Sequence, residues 1–517
     1  FFKQKTAYEM LRSLVGSEMC IRDRSEDNKT DSNTLSSTDN KSKVLFIVPP
    51  EKFFIESYVT RKLDKGREFR QKLGILYVAG TLREGTTFDV DVLDSLADGL
   101  DSSDIRRIIK EKKPDVVGFS VLTFNLLDCL DVAKIIREVS PSTKICFGGF
   151  HPTIYPQETL DFPEVDYIVF GEGETTFKEL VKVIDSGGDL SSKLPSVDGV
   201  GWKNAFGMTT INKGRKAAAK LDEITMPAHD LIDLDKYTVV LANDSKVASM
   251  QTSRGCPSKC TFCDIRLTRF RFRSAEDVLK EIEYLKSRGI YEFFLVDDQF
   301  TSNKERVLSL CKLLIDNNVG IKFKISSRID RVDSEMLHAL EKAGCYRIHY
   351  GIESGSQRLL DYMEKEITLE QIRETVKNTK EAGIEIFAYM MIGIPTETKA
   401  DIKKSVNLIR ELKPNHVNYS ICTPFPKTAL YERALAEEEK PDDYWLEFAK
   451  NPNPNFKIRT LNDNFSESDL RMLQDKALRS FYTSPTIIYR EIVNTTSIKQ
   501  FFTKAKIGLR LLAPRFG

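Results

Sequence analysis

The chain has 517 residues, 41% hydrophobic and 30% charged, which is room for two or three domains with cores of their own. With 77 Lys and Arg against 76 Asp and Glu, it carries no basic excess that would suit nucleic acid, and no apolar run approaches the roughly 18 residues of a membrane span. Nine cysteines are too few for a disulfide scaffold; an odd count with three of them inside Cys256–Cys263 reads as reduced thiols in the cytoplasm with one metal site.

Residues 1–24 lack the ordered regions of a secretion signal. KQKTAYEMLRSLVGSEMCIRDR reads instead as translated adapter sequence, foreign to the fold, and Cys20 goes with it. Residues 25–42 are Ser, Asn, Asp, Thr and Lys with little to bury and are expected to be disordered. Order is expected from Lys43, with a buried strand over 43–50 and an apolar helix over 71–84. Strands at 88–94, 115–122, 144–149 and 165–173 then alternate with helices at 104–112, 126–139 and 175–185. Continuous apolar strands alternating with helices predict a parallel, doubly wound, flavodoxin-like sheet over 43–185. Its ligands should sit beyond the carboxyl ends of the strands.

Residues 186–245 break the rhythm and read as a linker with a small irregular subdomain. A second α/β series over 246–440 predicts strands at 247–252, 290–297, 321–326, 345–352, 384–392 and 416–422. Helices at 274–288, 303–318, 333–343, 368–382 and 398–412 fall between them. Six such units make a partial (β/α)6 parallel barrel or a second doubly wound sheet, and periodicity alone does not choose. In a barrel, chemistry gathers at the C-terminal strand ends. Residues 441–517 read as a helical and loop extension closing on a basic, apolar segment, IKQFFTKAKIGLRLLAPRFG.

The sequence RGCPSKCTFCDIR places Cys256, Cys260 and Cys263 just after the first strand of this second series. C-x3-C-x2-C is an improbable accident at this cysteine frequency. Three inert buried thiols are one alternative. A zinc site is another, but zinc wants four ligands and no fourth Cys or His is near in sequence. Three thiolates on a four-iron cluster leave one iron open to a ligand.

This spacing resembles that of the radical S-adenosylmethionine (SAM) superfamily. The resemblance covers about 246–425 and implies a [4Fe-4S] cluster on the three cysteines, with SAM bound to the open iron and cleaved by an electron from the cluster. It implies that Phe262 lies beside the adenine, and that Asp297 and Asp298 in FFLVDDQF approach the SAM ammonium. Arg328 in ISSRID suits a carboxylate. Glu353 and Ser354 in YGIESGSQ match positions that contact the ribose and methionine ends, and Gly393 and Pro395 in YMMIGIPTET match the adenine-edge turn. An electron donor such as flavodoxin or ferredoxin is implied as partner.

In the first domain, VGFSVLTFN, GGFHPTIYPQE and GEGETTFKEL each follow a strand. Together with the second half they resemble the cobalamin-binding domain fused to many radical SAM enzymes. The segments put Thr123, Gly148, Gly149, His151, Pro152, Glu172, Gly173 and Glu174 at the expected corrin site. The alternatives are a simple turn at GGFHP and a helix cap at GEGET. The D-x-H-x-x-G motif that supplies an imidazole to cobalt is absent, and His151 is not assigned as a cobalt ligand.

The resemblance implies a cobalamin-dependent methyltransferase acting on an unactivated carbon or a phosphorus. A radical cyclase or rearrangement enzyme without methyl transfer is the alternative, and a cobalamin or redox sensor a third reading. No residue names the substrate, a small or lipid-like molecule. The final segment, with Phe501, Phe502, Leu509, Leu511 and Leu512 among basic residues, reads as packing on its own domain, with membrane-surface contact as the alternative.

Overall fold

The computed structural model describes residues 42–55, 70–204, 206–237, 246–265, 268–437 and 442–493. The adapter-like stretch, the segment expected to be disordered up to residue 41 and the basic terminal segment lie outside the described residues.

The first sheet is built on β1 (Lys43–Val48), β2 (Asp89–Asp94), β3 (Val116–Ser120), β4 (Lys144–Gly148) and β5 (Tyr167–Val169), all parallel. Its order begins β2-β1-β3-β4-β5, the flavodoxin-like order, which reverses between β1 and β3 and leaves a crevice there at the strand ends. Strand alternation explains the unbroken apolar runs. Val44, Phe46 and Val48 face the helices Leu73–Arg83 and Gly173–Asp185, while Leu45 and Ile47 join the core beneath Ser102–Lys112 and Leu126–Val139.

The linker does more than was expected of it. Its strands β6 (Val200–Lys203) and β7 (Thr209–Ile211) add antiparallel to β5, so the sheet has seven strands and a mixed edge. Strands this short among polar residues carry no periodicity of their own and form because β5 offers them an edge. The linker then crosses the helix Leu73–Arg83 so closely that a Cβ on Gly80 would meet a backbone oxygen of Met226.

The second sheet contains β8 (Val247–Met250), then β11 (Glu292–Leu295), β12 (Lys322–Arg328), β13 (Cys345–Glu353), β14 (Glu385–Ile392) and β15 (His416–Ile421). These six are parallel, in the order β15-β14-β13-β12-β11-β8, forming a curled half-barrel. Between β8 and β11 a short ribbon pairs β9 (Ser253–Arg254) with β10 (Arg271–Phe272). The barrel helices carry the expected start signals; Thr398 and Asp401, for example, make a reciprocal capping box.

An incomplete barrel has two edges, and both are satisfied by side chains. Gln71 stands in for a strand beside β8, accepting from the Ser249 N–H at 2.9 Å and donating to the Val247 carbonyl at 3.1 Å. At the far edge, on the helix Glu467–Tyr482, Gln474 donates to the Tyr419 carbonyl and the Tyr482 hydroxyl donates to that of Val417. No helix among the described residues is long and apolar enough to cross a membrane.

Candidate functional site

The cysteine loop leaves β9 at Gly255, which has φ +82° and no room for a Cβ against the Arg269 backbone. Its backbone is anchored twice: Thr261 N–H donates to the Met363 carbonyl, and the Thr261 carbonyl accepts from Leu430 N–H. Cys260 is buried, and Cys256 and Cys263 are partly buried. Burial pushes the Cys260 thiol up and that of Cys263 to about 12. Arg328 and Lys365 oppose that shift at Cys260, and Arg328 Nη1 donates to its sulfur at 3.2 Å. Each cation also has a carboxylate partner, Asp330 for Arg328 at 2.8 Å and Glu353 for Lys365 at 2.9 Å, so what reaches Cys260 is a hydrogen-bonding, charge-paired surround that suits a thiolate ligand of an iron–sulfur cluster. Among the described residues no three His, Cys, Asp or Glu side chains are grouped as ligands of one metal ion. A cluster does not require that, because each thiolate takes a different iron.

The two carboxylates after β11 part company. Asp297 is consumed by the chain: it accepts from Thr252 N–H at 2.6 Å, Thr252 Oγ1 at 2.5 Å and Ser253 Oγ at 2.8 Å. It therefore holds the turn that leads into the cysteine loop, and its oxygens do not stand open to an ammonium as expected. Asp298 accepts from Gly255 N–H at 3.0 Å, faces a large cavity, and is pushed by burial up to about 6.

At the end of β13, Glu353 sits at φ +66°, where the pairing with β14 shifts register. A non-glycine residue in that region is strained and persists only where its surroundings fix it. Here Lys365 does so, with Nζ 2.9 Å from Glu353 Oε1 and 5.6 Å from the Phe262 ring centre. The Lys365 carbonyl accepts from Arg328 Nη2 at 2.5 Å. Lys365 belongs to none of the sequence motifs. It stands in a short loop after the helix Gln357–Tyr362, with no periodicity to mark it. Ser354 is fully buried, accepts from the Ser356 N–H at 3.2 Å and stands 3.4 Å from Ser405 Oγ on the helix Lys399–Leu412, so its hydroxyl is committed within the fold. Gly393 has φ +82°, and a Cβ there would meet Leu470 at 2.9 Å, so its conformation and the covering helix already require glycine. Pro395 is buried in the same turn.

A cavity of about 730 Å³ lies between the two sheets at their carboxyl ends. One wall comes from Gly118, Gly148, Gly149, Gly171 and Gly173, the other from Ser249, Gln251, Gly255 and Asp298. Two of these positions require glycine for packing as well: a Cβ on Gly149, at φ +101°, would meet the Val121 carbonyl at 2.9 Å, and one on Gly118 would meet the Phe46 ring. A bare-backbone wall of this kind lets a flat ligand approach the chain closely. Thr123, His151 and Pro152 do not line it. His151 is fully buried, takes Thr123 Oγ1 at 3.1 Å on Nδ1, and is held by burial down at about 3. Glu172 and Glu174 do line the cavity, and they pair with Arg271 and Arg254 rather than capping their helix.

Comparison with known proteins matches residues 69–181 to the B12 binding domain family and 250–409 to the radical SAM superfamily. An uncharacterized methyltransferase of Pyrococcus horikoshii is 32% identical over 87% of this chain and 94% of its own length. The chain belongs to the radical SAM superfamily, in the group that carries a B12-binding domain. Membership brings a [4Fe-4S] cluster, SAM and cobalamin as cofactors. This radical SAM protein is also 30% identical to the anaerobic magnesium-protoporphyrin IX monomethyl ester cyclase of Rubrivivax gelatinosus, over 69% of this chain and 65% of that one. It is 28% identical to the cytidylyl-2-hydroxyethylphosphonate methyltransferase of Streptomyces wedmorensis, over 62% and 69%. In fold it resembles OxsB, a cobalamin-dependent SAM radical enzyme solved with aqua-cobalamin and SAM, with a TM-score of 0.69 at 18% identity over 92% of this chain and 72% of that one. The radical SAM methyltransferase TsrM of Kitasatospora setae gives 0.66 at 17% identity over 86% and 90%.

Proposed function

We propose that this protein is a cobalamin-dependent radical SAM methyltransferase of a small-molecule substrate, with its cluster on Cys256, Cys260 and Cys263. The observation that carries the reading is the shared cavity: the glycine-lined wall of the first domain and the base of the cysteine loop open on one space. When bound, the cluster supplies the electron that cleaves SAM and cobalamin supplies the methyl group.

The chain's own residues bind and orient. Cys256, Cys260 and Cys263 hold the iron, and Arg328 and Lys365 balance the thiolate charge around Cys260. Phe262 and Glu353 lie with Lys365 on the side where SAM would enter. Asp298 presents the carboxylate that suits an ammonium, while Asp297 fixes the loop. Gly148, Gly149 and Gly173 let a corrin approach the backbone, and His151, buried away from the cavity, leaves cobalt without a histidine from this loop. A low-potential donor such as flavodoxin or ferredoxin delivers the electrons. The target is an unactivated carbon or a phosphorus centre.

A cyclase reading is favoured by the 30% identity to the Rubrivivax enzyme. Products separate the two. Anaerobic reconstitution should give about four irons and four sulfides per chain and SAM-derived 5′-deoxyadenosine under a low-potential reductant. S-adenosylhomocysteine should accompany it when cobalamin is present. A full cluster on the triple Cys→Ala variant would overturn the ligand assignment, and 5′-deoxyadenosine without S-adenosylhomocysteine in the presence of substrate would favour the cyclase.

A further inference from the structure

The cysteine loop departs from and returns to the barrel through the β9–β10 ribbon, and each strand of that ribbon contributes one arginine to a cluster with Glu172 and Glu174. Arg271 grips both carboxylate oxygens of Glu172, at 3.0 Å from Nη1 and closely from Nη2, and also donates to the Ala218 carbonyl at 2.8 Å. Arg254 donates to Glu174 at 2.6 Å and lies 3.4 Å from Glu172. Its guanidinium also stands over the Tyr77 ring, 5.0 Å from the centre. The arginine side chains are 7% and 15% exposed. Burying two charge pairs exacts a desolvation cost that a mere helix-start preference for acids would not need. A bidentate fork also fixes angle as well as distance.

The four residues join two places that matter. Arg254 is two positions before Cys256, and the acids belong to the turn Gly171–Glu174, whose glycines line the cavity. A ligand pressing on that turn presses on the root of the cysteine loop.

We infer that Glu172, Glu174, Arg254 and Arg271 are positioning residues, a latch that ties the base of the cysteine loop to the cobalamin-side turn and makes filling of the cavity felt at the cluster. This rests on the proposed cluster and cavity assignments. Coupling of this kind is reciprocal: if cobalamin shifts the cluster potential, cluster reduction changes cobalamin affinity by the same factor.

The test uses the full-length reconstituted protein. The cluster midpoint potential is measured by its reduced-state EPR signal, without and with saturating hydroxocobalamin, occupancy being checked by corrinoid absorbance. The wild type should shift on cobalamin addition. E172Q/E174Q, with four irons and full corrinoid, should lose the shift, and R271K, which keeps the charge but loses the fork, should retain part of it. R271K alone reads the latch if the double variant does not fold. An undiminished shift in these variants, or no shift in a four-iron wild type, overturns the latch and leaves the cluster assignment standing. Loss of cobalamin binding by the variants also overturns it, since the acids would then serve the ligand directly. A wild type that assembles no cluster under any condition would instead remove the cluster assignment itself.

Discussion

Replacing Lys365 by Met should expose how the cluster side of the barrel is held. The ammonium is buried, its partner Glu353 is 8% exposed, and their atoms are 2.9 Å apart. Burial alone would lower the Lys365 pKa, yet the Glu353 carboxylate, and Cys260 as a thiolate, hold it above its ordinary value. Removing one member leaves an uncompensated carboxylate inside the barrel, in a backbone conformation it already occupies at a cost. Breaking a buried pair from one side typically costs about 3–5 kcal/mol, whereas replacing both members is close to neutral. K365M should therefore lose about that much, and K365M/E353Q should recover most of it, a coupling of roughly 2 kcal/mol or more. The assay is anaerobic urea unfolding of the cluster-free chain, read at constant m so that midpoints report stability. If the two single changes add to within about 0.5 kcal/mol, the pair does not hold Glu353 and the account of this corner is wrong.

Three further outcomes follow. Glu397 is buried with one oxygen unpartnered, and burial pushes its carboxyl from 4.5 up to about 8. The folded state then keeps a proton the unfolded chain releases, so this group's contribution is full below about pH 4.5 and is lost as pH rises through about 8, by on the order of a few kcal/mol; E397Q should flatten that slope in unfolding measurements, and an unchanged slope would contradict it. Gly149→Ala should destabilise, because its Cβ meets the Val121 carbonyl at 2.9 Å, and should weaken hydroxocobalamin binding by displacing backbone that lines the cavity; full-strength binding by the variant, titrated by absorbance, would contradict the glycine wall. His151→Ala should leave the corrinoid spectrum unchanged while costing about 1–3 kcal/mol in stability; a spectral change of the kind caused by losing an imidazole from cobalt would refute its buried placement.

Most of the scaffold was legible because the strands are short, largely apolar runs bounded by turn residues, and the barrel helices start at Ser, Thr, Asp or Asn caps such as Ser274 or Asp333. The cysteine triplet was legible from spacing alone. What escaped the sequence depends on contacts across long separations. Glu172 and Arg271 lie 99 residues apart, and nothing near either one announces the other. Asp297 and Asp298 look equivalent on paper, but neighbours at a strand end face opposite sides; one is consumed by Thr252 and Ser253, the other opens to the cavity. The edge covers Gln71, Gln474 and Tyr482 are ordinary polar residues on helices or their flanks until the open edges of a half-barrel are set beside them.

The central claim is that one chain uses its two cofactor domains to move a methyl group. The most direct measurement gives the enzyme, reconstituted with cluster and cobalamin, SAM labelled in its methyl group together with the true substrate under a low-potential reductant. Labelled methyl is expected on the substrate, with 5′-deoxyadenosine and S-adenosylhomocysteine formed alongside it. Product formed with no label, and S-adenosylhomocysteine at background while 5′-deoxyadenosine accumulates, would contradict it.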